Sequence, residues 1–501
     1  MSEIINVLLL AEERKKELYQ VPEDIKLEVS SSFQKKVKKA YDLVIMERAP
    51  MEEELSFLYE AIKEYCFYVS WDLKMEEGLQ QLFTCKAGKR IETADISGFL
   101  REEARNYFPT PYGEKFSFEN LSISQKFKGK IHWKGHYSVC LEGDFGEEFK
   151  QIAFWRNNIP IEKGQALELW LEYKKDSQVE IELTIVHFSK GTISNVEQKW
   201  SFTEEDMREP MIIDNQKAYG PIFAYLSARG RGQVEIIALH DRYSRRGHGY
   251  FIPGGERYVT ADREELFAYF NPGDLKPPLH VYFSGYKTRQ GFEGYNLMKS
   301  MKSPFLLIAE SRLEGGAFYL GSKEYEEMLV KVLKTYLSKL GFSSSDLIMS
   351  GLSMGTFGAL YYAADMHPRA VILGKPLVNI GDIAENERLK RPGGFPTSLD
   401  VAKFVQKNYE PEGLGGVNEL LRNKLEKVQW KDTKFVISYM IEDDYDGNAY
   451  HHLISGLDPA GIQIYGKGIH GRHNDNTYEI VRWYTSQLKK ILRDDYNRKT
   501  E

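Results

Sequence analysis

Asp346-Leu347-Ile348-Met349-Ser350-Gly351-Leu352-Ser353-Met354-Gly355-Thr356-Phe357-Gly358-Ala359-Leu360 decides how this chain is read. Asp346 to Ser350 is a short, mostly apolar run suited to a buried strand. Thr356 to Met366 predicts a helix rich in Gly, Ala, Leu and Tyr. Between them stands Gly351-x-Ser353-x-Gly355. Strand, sharp turn and helix are the context in which G-x-S-x-G carries a nucleophile at the top of an α/β sheet. A serine at the tip of a strained turn needs neighbours without side chains, because the backbone is crowded there. The same turn aims the amide of Met354 at a developing oxyanion.

The chain beyond the elbow has the order of such a site: serine, then acid, then histidine. Lys434 to Met440 predicts a strand, and Glu442, Asp443, Asp444 and Asp446 come directly after it. A carboxylate just past a late strand is where the acid belongs. Asp443 leads because it falls third after the strand and leaves room for a turn. Glu442 beside it stays open, while Asp444 and Asp446 are read as solvated loop charges. Gln463-Ile464-Tyr465 predicts a short strand, succeeded by a loop with His470 and His473. A loop histidine before the last helix is the expected general base. His473 is preferred, because Gly468 and Gly471 flank His470 and suggest a tight turn. Asn476 and Glu479 predict the N-cap and capping box of that last helix. A second oxyanion amide is expected from Ser284-Gly285-Tyr286-Lys287, after the strand Leu279–Phe283. Gly285 and Tyr286 are the candidates, and Tyr286 is the one adopted.

The 501 residues predict more than one domain. Hydrophobic content of 42% supplies several cores, and a net charge of −6 with mixed signs argues against a nucleic-acid partner. Cys66, Cys85 and Cys140 lie far apart, without metal spacing, as suits a reducing cytoplasm. The apolar run Ile4 to Leu10 lacks a basic leader, precedes charged Glu12 to Lys16, and is too short to span a membrane.

Three regions are expected. Residues 1–110 alternate strand and helix signals: strands at Ile5–Leu10, Tyr41–Met46 and Cys66–Trp71, and a helix from Met51 to Tyr65. They predict a small parallel α/β sheet with no glycine-rich phosphate loop and no assigned cofactor. Residues 111–250 carry two-residue alternation, as in Leu167 to Tyr173 and Val179 to Ile185, and predict an antiparallel β-sandwich. Trp133, Tyr137, Trp155 and Trp170 are available there for glycan stacking, or for the core. Residues 251–501 predict a catalytic domain of α/β-hydrolase type. Its helix Ser322–Leu340 ends at Gly341, and a segment between Gly374 and Leu425 is placed as a cap over the site. These residues suit acyl transfer through a covalent serine intermediate. They serve equally an esterase or deacetylase that uses water as acceptor, or a scaffold that has no catalytic role.

The whole chain resembles the second accessory Sec protein of Gram-positive bacteria, part of the export system for serine-rich-repeat glycoprotein adhesins. The resemblance rests on Gly351 to Tyr362, Tyr439 to Asp446, and Gly468 to Asp475, together with the three-part layout. It implies O-acetylation of N-acetylglucosamine on the adhesin, with Ser353 and His473 as triad members and a family acid that can be glutamate. It implies an acetyl donor such as acetyl-CoA as co-substrate, with no tightly bound cofactor and no metal. The other accessory Sec proteins, the accessory motor ATPase and the glycosylated adhesin are the partners it implies. It also implies a cytoplasmic location, extending to the inner face of the cell membrane.

Overall fold

Apolar runs covered by helices on both faces build the first sheet, as buried parallel strands require. A computed structural model describes residues 4–12, 19–107, 113–116, 118–251, 254–406, 414–457 and 462–499. Its first sheet holds β1 (Ile5–Leu10), β2 (Ile25–Ser30), β3 (Leu43–Met46), β4 (Phe67–Ser70) and β5 (Lys89–Ile91). They run parallel in the order 2-1-3-4-5. Ligands of such sheets sit where the order reverses, here between β1 and β3. That corner is taken by the chain itself: Arg48 is bidentate to Glu54, which also accepts the amides of Phe33 and Met51. The first helix runs Glu52–Ala61, shorter than expected, because Ile62 turns extended and bridges Tyr41. The expected boundary at 110–111, and most of the charged stretch from Glu12 to Lys16, lie outside the described residues.

The second layer is antiparallel throughout. It comprises β6 (Gly113–Lys115), β7 (Leu121–Ile123), β8 (Lys130–Lys134), β9 (Ser138–Trp155) and β10 (Ile159–Ile161). It continues with β11 (Ala166–Lys175), β12 (Val179–Phe188), β13 (Val196–Phe202), β14 (Met211–Asp214) and β15 (Gly220–Tyr243). Among the described residues these ten strands form one continuous sheet, not two separate ones. β9 and β15 are 18 and 24 residues long, and β15 alone pairs with β6, β9, β10, β11 and β12. Their shared ladder bends at Gly146, Gly230 and Gly232, all at positive φ, with register shifts beside Gly230. The bend lets one sheet wrap a single core made by Leu141, Leu169, Leu183 and Leu226. Trp155 and Trp170 are buried and so unavailable for glycan stacking, and Tyr137 packs on Phe404. Trp133 is exposed.

The third sheet holds β16 (Glu256–Val259), β17 (Glu265–Asn271), β18 (Leu279–Phe283), β19 (Phe305–Glu310), β20 (Leu347–Leu352), β21 (Ala370–Gly374), β22 (Lys434–Met440) and β23 (Gln463–Ile469). Numbered within the sheet, the strand order is 1-2-4-3-5-6-7-8, and only the second strand is antiparallel to its neighbours. Helix Lys323–Leu340 is capped by Ser322, whose hydroxyl accepts from Tyr325, and ends at Gly341 in the left-handed region. β23 runs on through Gly466, Lys467 and Gly468, where the glycines alone suggest a loop. Three helices, Ile380–Leu389, Thr397–Gln406 and Leu414–Leu425, fill the expected cap segment.

A buried charged joint fastens the second sheet to the third. Arg242 on β15 is bidentate to Glu265 on β17 at 3.0 and 2.7 Å, and Arg257 donates to the same carboxylate. The Arg257 and Arg263 guanidiniums lie 4.0 and 3.8 Å from the Trp170 ring. His240 pairs with Glu172 at 2.7 Å and accepts from Gln290. Atoms of Glu172, His240 and Glu265 lie within 4.8 Å of one another, a spacing a cation could use, but protein donors already engage all three. Arg242→Ala leaves Glu265 buried with half its counter-charge. It should cost about 3–5 kcal/mol in urea unfolding monitored by intrinsic fluorescence. A loss below about 1 kcal/mol would mean that the joint is not fixed by this pair.

Candidate active site

The elbow is built by close approach. A Cβ on Gly351 would lie 2.3 Å from the backbone of Gly355, and one on Gly355 would lie 2.1 Å from the Phe283 carbonyl oxygen. Both positions therefore exclude a side chain. Ser353 sits between them at φ 52, ψ −125, a conformation that costs a non-glycine residue about 1–3 kcal/mol and is held by the strand and helix around it. Helix Met354–Met366 starts at the next residue.

Ser353 Oγ lies 2.9 Å from His473 Nε2, and His473 Nδ1 lies 2.8 Å from Asp443 Oδ2. Burial alone would raise the Asp443 carboxyl. The hydrogen bond and charge of His473, with the amides of Tyr445 and Asp446, overcome burial and hold it below the usual aspartate range. An ionised Asp443 accepts Nδ1–H, so the Nε2 lone pair faces the serine. The ring is further fixed by Tyr445, edge-on at 4.4 Å, and its own amide donates to Asp444 Oδ1 at 3.0 Å.

Glu442 is brought elsewhere. Its carboxylate engages His470 Nδ1 at 2.9 Å and the Gly471 amide at 2.6 Å, on the open surface where His470 is 84% exposed. Consecutive residues past a strand diverge, so Asp443 and Glu442 serve different histidines. Asp444 and Asp446, read as solvated charges, are structural instead. Asp444 bonds Arg391 at 2.9 Å, and Arg391 lies over the Tyr445 ring. Asp446 is buried and accepts from the amides of Val378 and Asn379 and from the Asn379 side chain. The expected capping box is absent: Asn476 adopts φ 48, and its side chain donates to His470 O at 2.6 Å, tying down the histidine loop.

These groups open on a cavity of about 530 Å³ lined by Tyr286, Glu293, Met354, Lys375, Phe395 and His473, among others. Gly393 to Pro396 from the cap segment close one side. Met354 leads its helix, and its amide has no protein acceptor among the described residues. Of the two loop candidates, the Gly285 amide donates to Glu293 Oε2 at 2.7 Å, while the Tyr286 amide has no protein acceptor among the described residues. Sequence reasoning missed Lys375, Glu293, Tyr445 and Asn379. Lys375 holds φ 53 just past β21, and its ammonium donates to Thr477 Oγ1 at 3.2 Å. Burial pushes its pKa down, against the pull of Asp443 and Glu293.

Asp443→Asn should lower acyl-ester turnover by roughly 10³–10⁴-fold, and Glu442→Gln by less than about threefold. Comparable rates in the two variants would detach Asp443 from His473 function. Asp446 gives a test in pH. Burial pushes its carboxyl up to about 6, with help from nearby Asp443 and against its three N–H donors. In the unfolded chain the group titrates near about 4. Between about pH 4 and 6 the folded state therefore binds more protons, so this site gains stability as pH falls and loses it as pH rises through about 6. Asp446→Asn cannot titrate. Its stability relative to wild type should drop by about 2 kcal/mol from about pH 7.5 to about pH 4.5. Urea midpoints at the two pH values decide it; a constant difference would show that Asp446 does not titrate in that window.

Residues 6–498 match the family of accessory Sec system GspB-transporters. The chain is 38% identical over 464 residues to the second accessory Sec system protein of Staphylococcus aureus, covering 91% of this chain and 88% of that protein. The counterpart from Streptococcus gordonii is 36% identical over 460 residues, covering 92% and 90%. A chain in the solved Glycosylation Associate Protein (Gap123) complex from Streptococcus agalactiae superposes with a TM-score of 0.89 at 33% identity, covering 99% of this chain and 100% of that one. These matches embrace all three sheets. The chain belongs to the accessory Sec system GspB-transporter family, whose members are components of a protein-transport system.

Proposed function

We propose that this chain is a serine-dependent O-acetyltransferase that modifies N-acetylglucosamine on serine-rich-repeat adhesins within accessory Sec export. The observation that carries the reading is the relay from Ser353 through His473 to Asp443, at 2.9 and 2.8 Å, facing a cavity with two unengaged amides. The sheet order, with the serine after the fifth strand, supports an α/β-hydrolase fold for residues 251–501.

In the reaction, His473 Nε2 takes the Ser353 hydroxyl proton as Oγ attacks the acetyl carbonyl of the donor. The amides of Met354 and Tyr286 hold the tetrahedral oxyanion. His473 returns the proton to the leaving group, and Asp443 stabilises the imidazolium throughout. A sugar hydroxyl then gives its proton to His473 and attacks the acetyl-serine; His473 passes that proton to Ser353 Oγ as the acyl–Oγ bond breaks, which restores the free serine. The donor is a small acetyl carrier such as acetyl-CoA, bound only during turnover. Family membership supports work alongside the other accessory Sec proteins and the motor ATPase, in the cytoplasm or at the inner membrane face. The solved Gap123 complex supports the first of these partnerships. No helix among the described residues is long and apolar enough to cross a membrane.

Ser353→Ala should abolish glycan acetylation and leave adhesin export largely intact, since removing one hydroxyl opens no cavity. Mass spectrometry of adhesin glycans from wild-type and variant cells reads the outcome. Unchanged acetylation in the variant would reject the catalytic reading in favour of a scaffold. Free acetate released without glycan acetylation would make water the acceptor.

A further inference from the structure

The loop after β18 carries four consecutive amides, and the structure disposes of three. Ser284 donates to the Ile308 carbonyl at 2.9 Å and Lys287 to that of Gly315 at 3.3 Å. Gly285 donates to the Glu293 carboxylate at 2.7 Å. Glu293 returns the contact, because its own amide donates to Ser284 Oγ at 3.1 Å. The two segments therefore clasp each other from both ends. Directly after the clasp, Gly294 at φ 79 turns the chain into helix Tyr295–Ser300. The Gly285 backbone is tightly approached: a Cβ there would lie 3.1 Å from the Leu352 carbonyl oxygen and 3.3 Å from the Glu293 carboxylate. Glu293 makes no hydrogen bond to Ser353 or His473.

We propose that Glu293 is the positioning residue of the oxyanion site: by holding the Gly285 amide, it turns the next peptide so that the Tyr286 amide faces the carbonyl on Ser353. The inference rests on the acyl-transfer reading above. The Tyr286 peptide lies between two anchored amides, Gly285 on Glu293 and Lys287 on Gly315, so only the dihedrals of Gly285 and Tyr286 remain to orient it and losing the Glu293 anchor frees one side. A donor that is preorganised in this way needs no reorganisation as charge develops. A carboxylate so near an oxyanion would oppose it. Lys375, which lines the same cavity and feels both Glu293 and Asp443, offsets that charge.

The test uses the purified full chain, p-nitrophenyl acetate as acyl donor, and a small alkyl boronic acid as a mimic of the tetrahedral intermediate. Glu293→Ala should lower kcat roughly hundredfold with KM within about threefold, and weaken boronate binding by a similar factor. Glu293→Gln should recover kcat to within about fivefold of wild type, because its amide oxygen accepts the same Gly285 N–H. If Glu293→Ala melts early, Ser284→Ala decides instead: it removes the other half of the clasp and should lower kcat about tenfold at unchanged KM. The proposal is overturned if kcat survives in Glu293→Ala, or in Ser284→Ala where that variant decides. It is also overturned if Glu293→Gln is as impaired as Glu293→Ala, or if only KM changes. Ser353→Ala separates the two readings. If it turns over ester as fast as wild type, the acyl-transfer reading falls and takes this one with it. If it is dead while Glu293→Ala is unimpaired, only this inference fails.

Discussion

Two missing methyl groups set the geometry of the site. With nothing on Gly355, the first turn of helix Met354–Met366 presses against the Phe283 carbonyl at the end of β18. With nothing on Gly351, the end of β20 folds back under that turn. Everything near Ser353 inherits this contact. The serine is forced to positive φ, which lifts its hydroxyl out of the sheet toward His473. The Met354 amide leads the helix and the Tyr286 amide leaves the loop after β18. The two donors thus come from the two elements that the glycines allow to touch.

Asp443 and His473 are placed by another device, a loop folded on its own carboxylates. Asp443 accepts from Tyr445 and Asp446 with one oxygen and meets His473 with the other. Asp446 reaches back to Val378 and Asn379, past the end of β21, and so pins the acid loop to the neighbouring strand. Asp444 holds the histidine's own amide and Arg391 of the cap segment. Each of the three aspartates thus fixes a different body: the imidazole, the sheet and the cap. Replacing any of them by a side chain that cannot accept from several donors frees one body while leaving the others in place.

Period and punctuation are enough to read the elements that carry these groups. Lys434–Met440 and Leu279–Phe283 are largely buried, mostly apolar strands, and the Ser322 and Gly341 caps are local signals that no distant contact overrides. The order of serine, acid and histidine likewise lies along the chain. The roles of Asp446 and Asp444 are not legible, because an acidic cluster looks the same whether water or a distant amide satisfies it. Asn476 misleads for a related reason: its side chain caps a loop carbonyl 6 residues back instead of its own helix. The second sheet reads as two because strand alternation records which face is buried. It does not record that β9 and β15 are long enough to serve both halves through glycine bends. Glu293 and Lys375 give no pattern at all. Their meaning exists only where three distant loops converge.

The second sheet is more than an attachment, because it also braces the cap. The amide of His136, in the β8–β9 turn, donates to Asp400 in helix Thr397–Gln406, and Tyr137 packs edge-on against Phe404 of the same helix at 5.4 Å. Burial raises the Asp400 carboxyl above its ordinary value, and the His136 amide pulls against that. The segment just before that helix, Gly393 to Pro396, walls the cavity, and Glu387 holds it through the amides of Gly393 and Phe395. Cap position is therefore fixed from three sides: by the second sheet through Asp400, by the acid loop through Arg391, and by its own first helix through Glu387. The Arg242–Glu265 joint makes the first of these supports rigid, since it ties the strand that carries β9 to the sheet that carries Ser353. A change on the outer strands has a packed route to the cavity wall through Asp400 and Phe404, and the first sheet has a route of its own: Glu64 accepts from Asn271 and from Tyr295, two residues past Glu293, and Tyr65 packs on Tyr269.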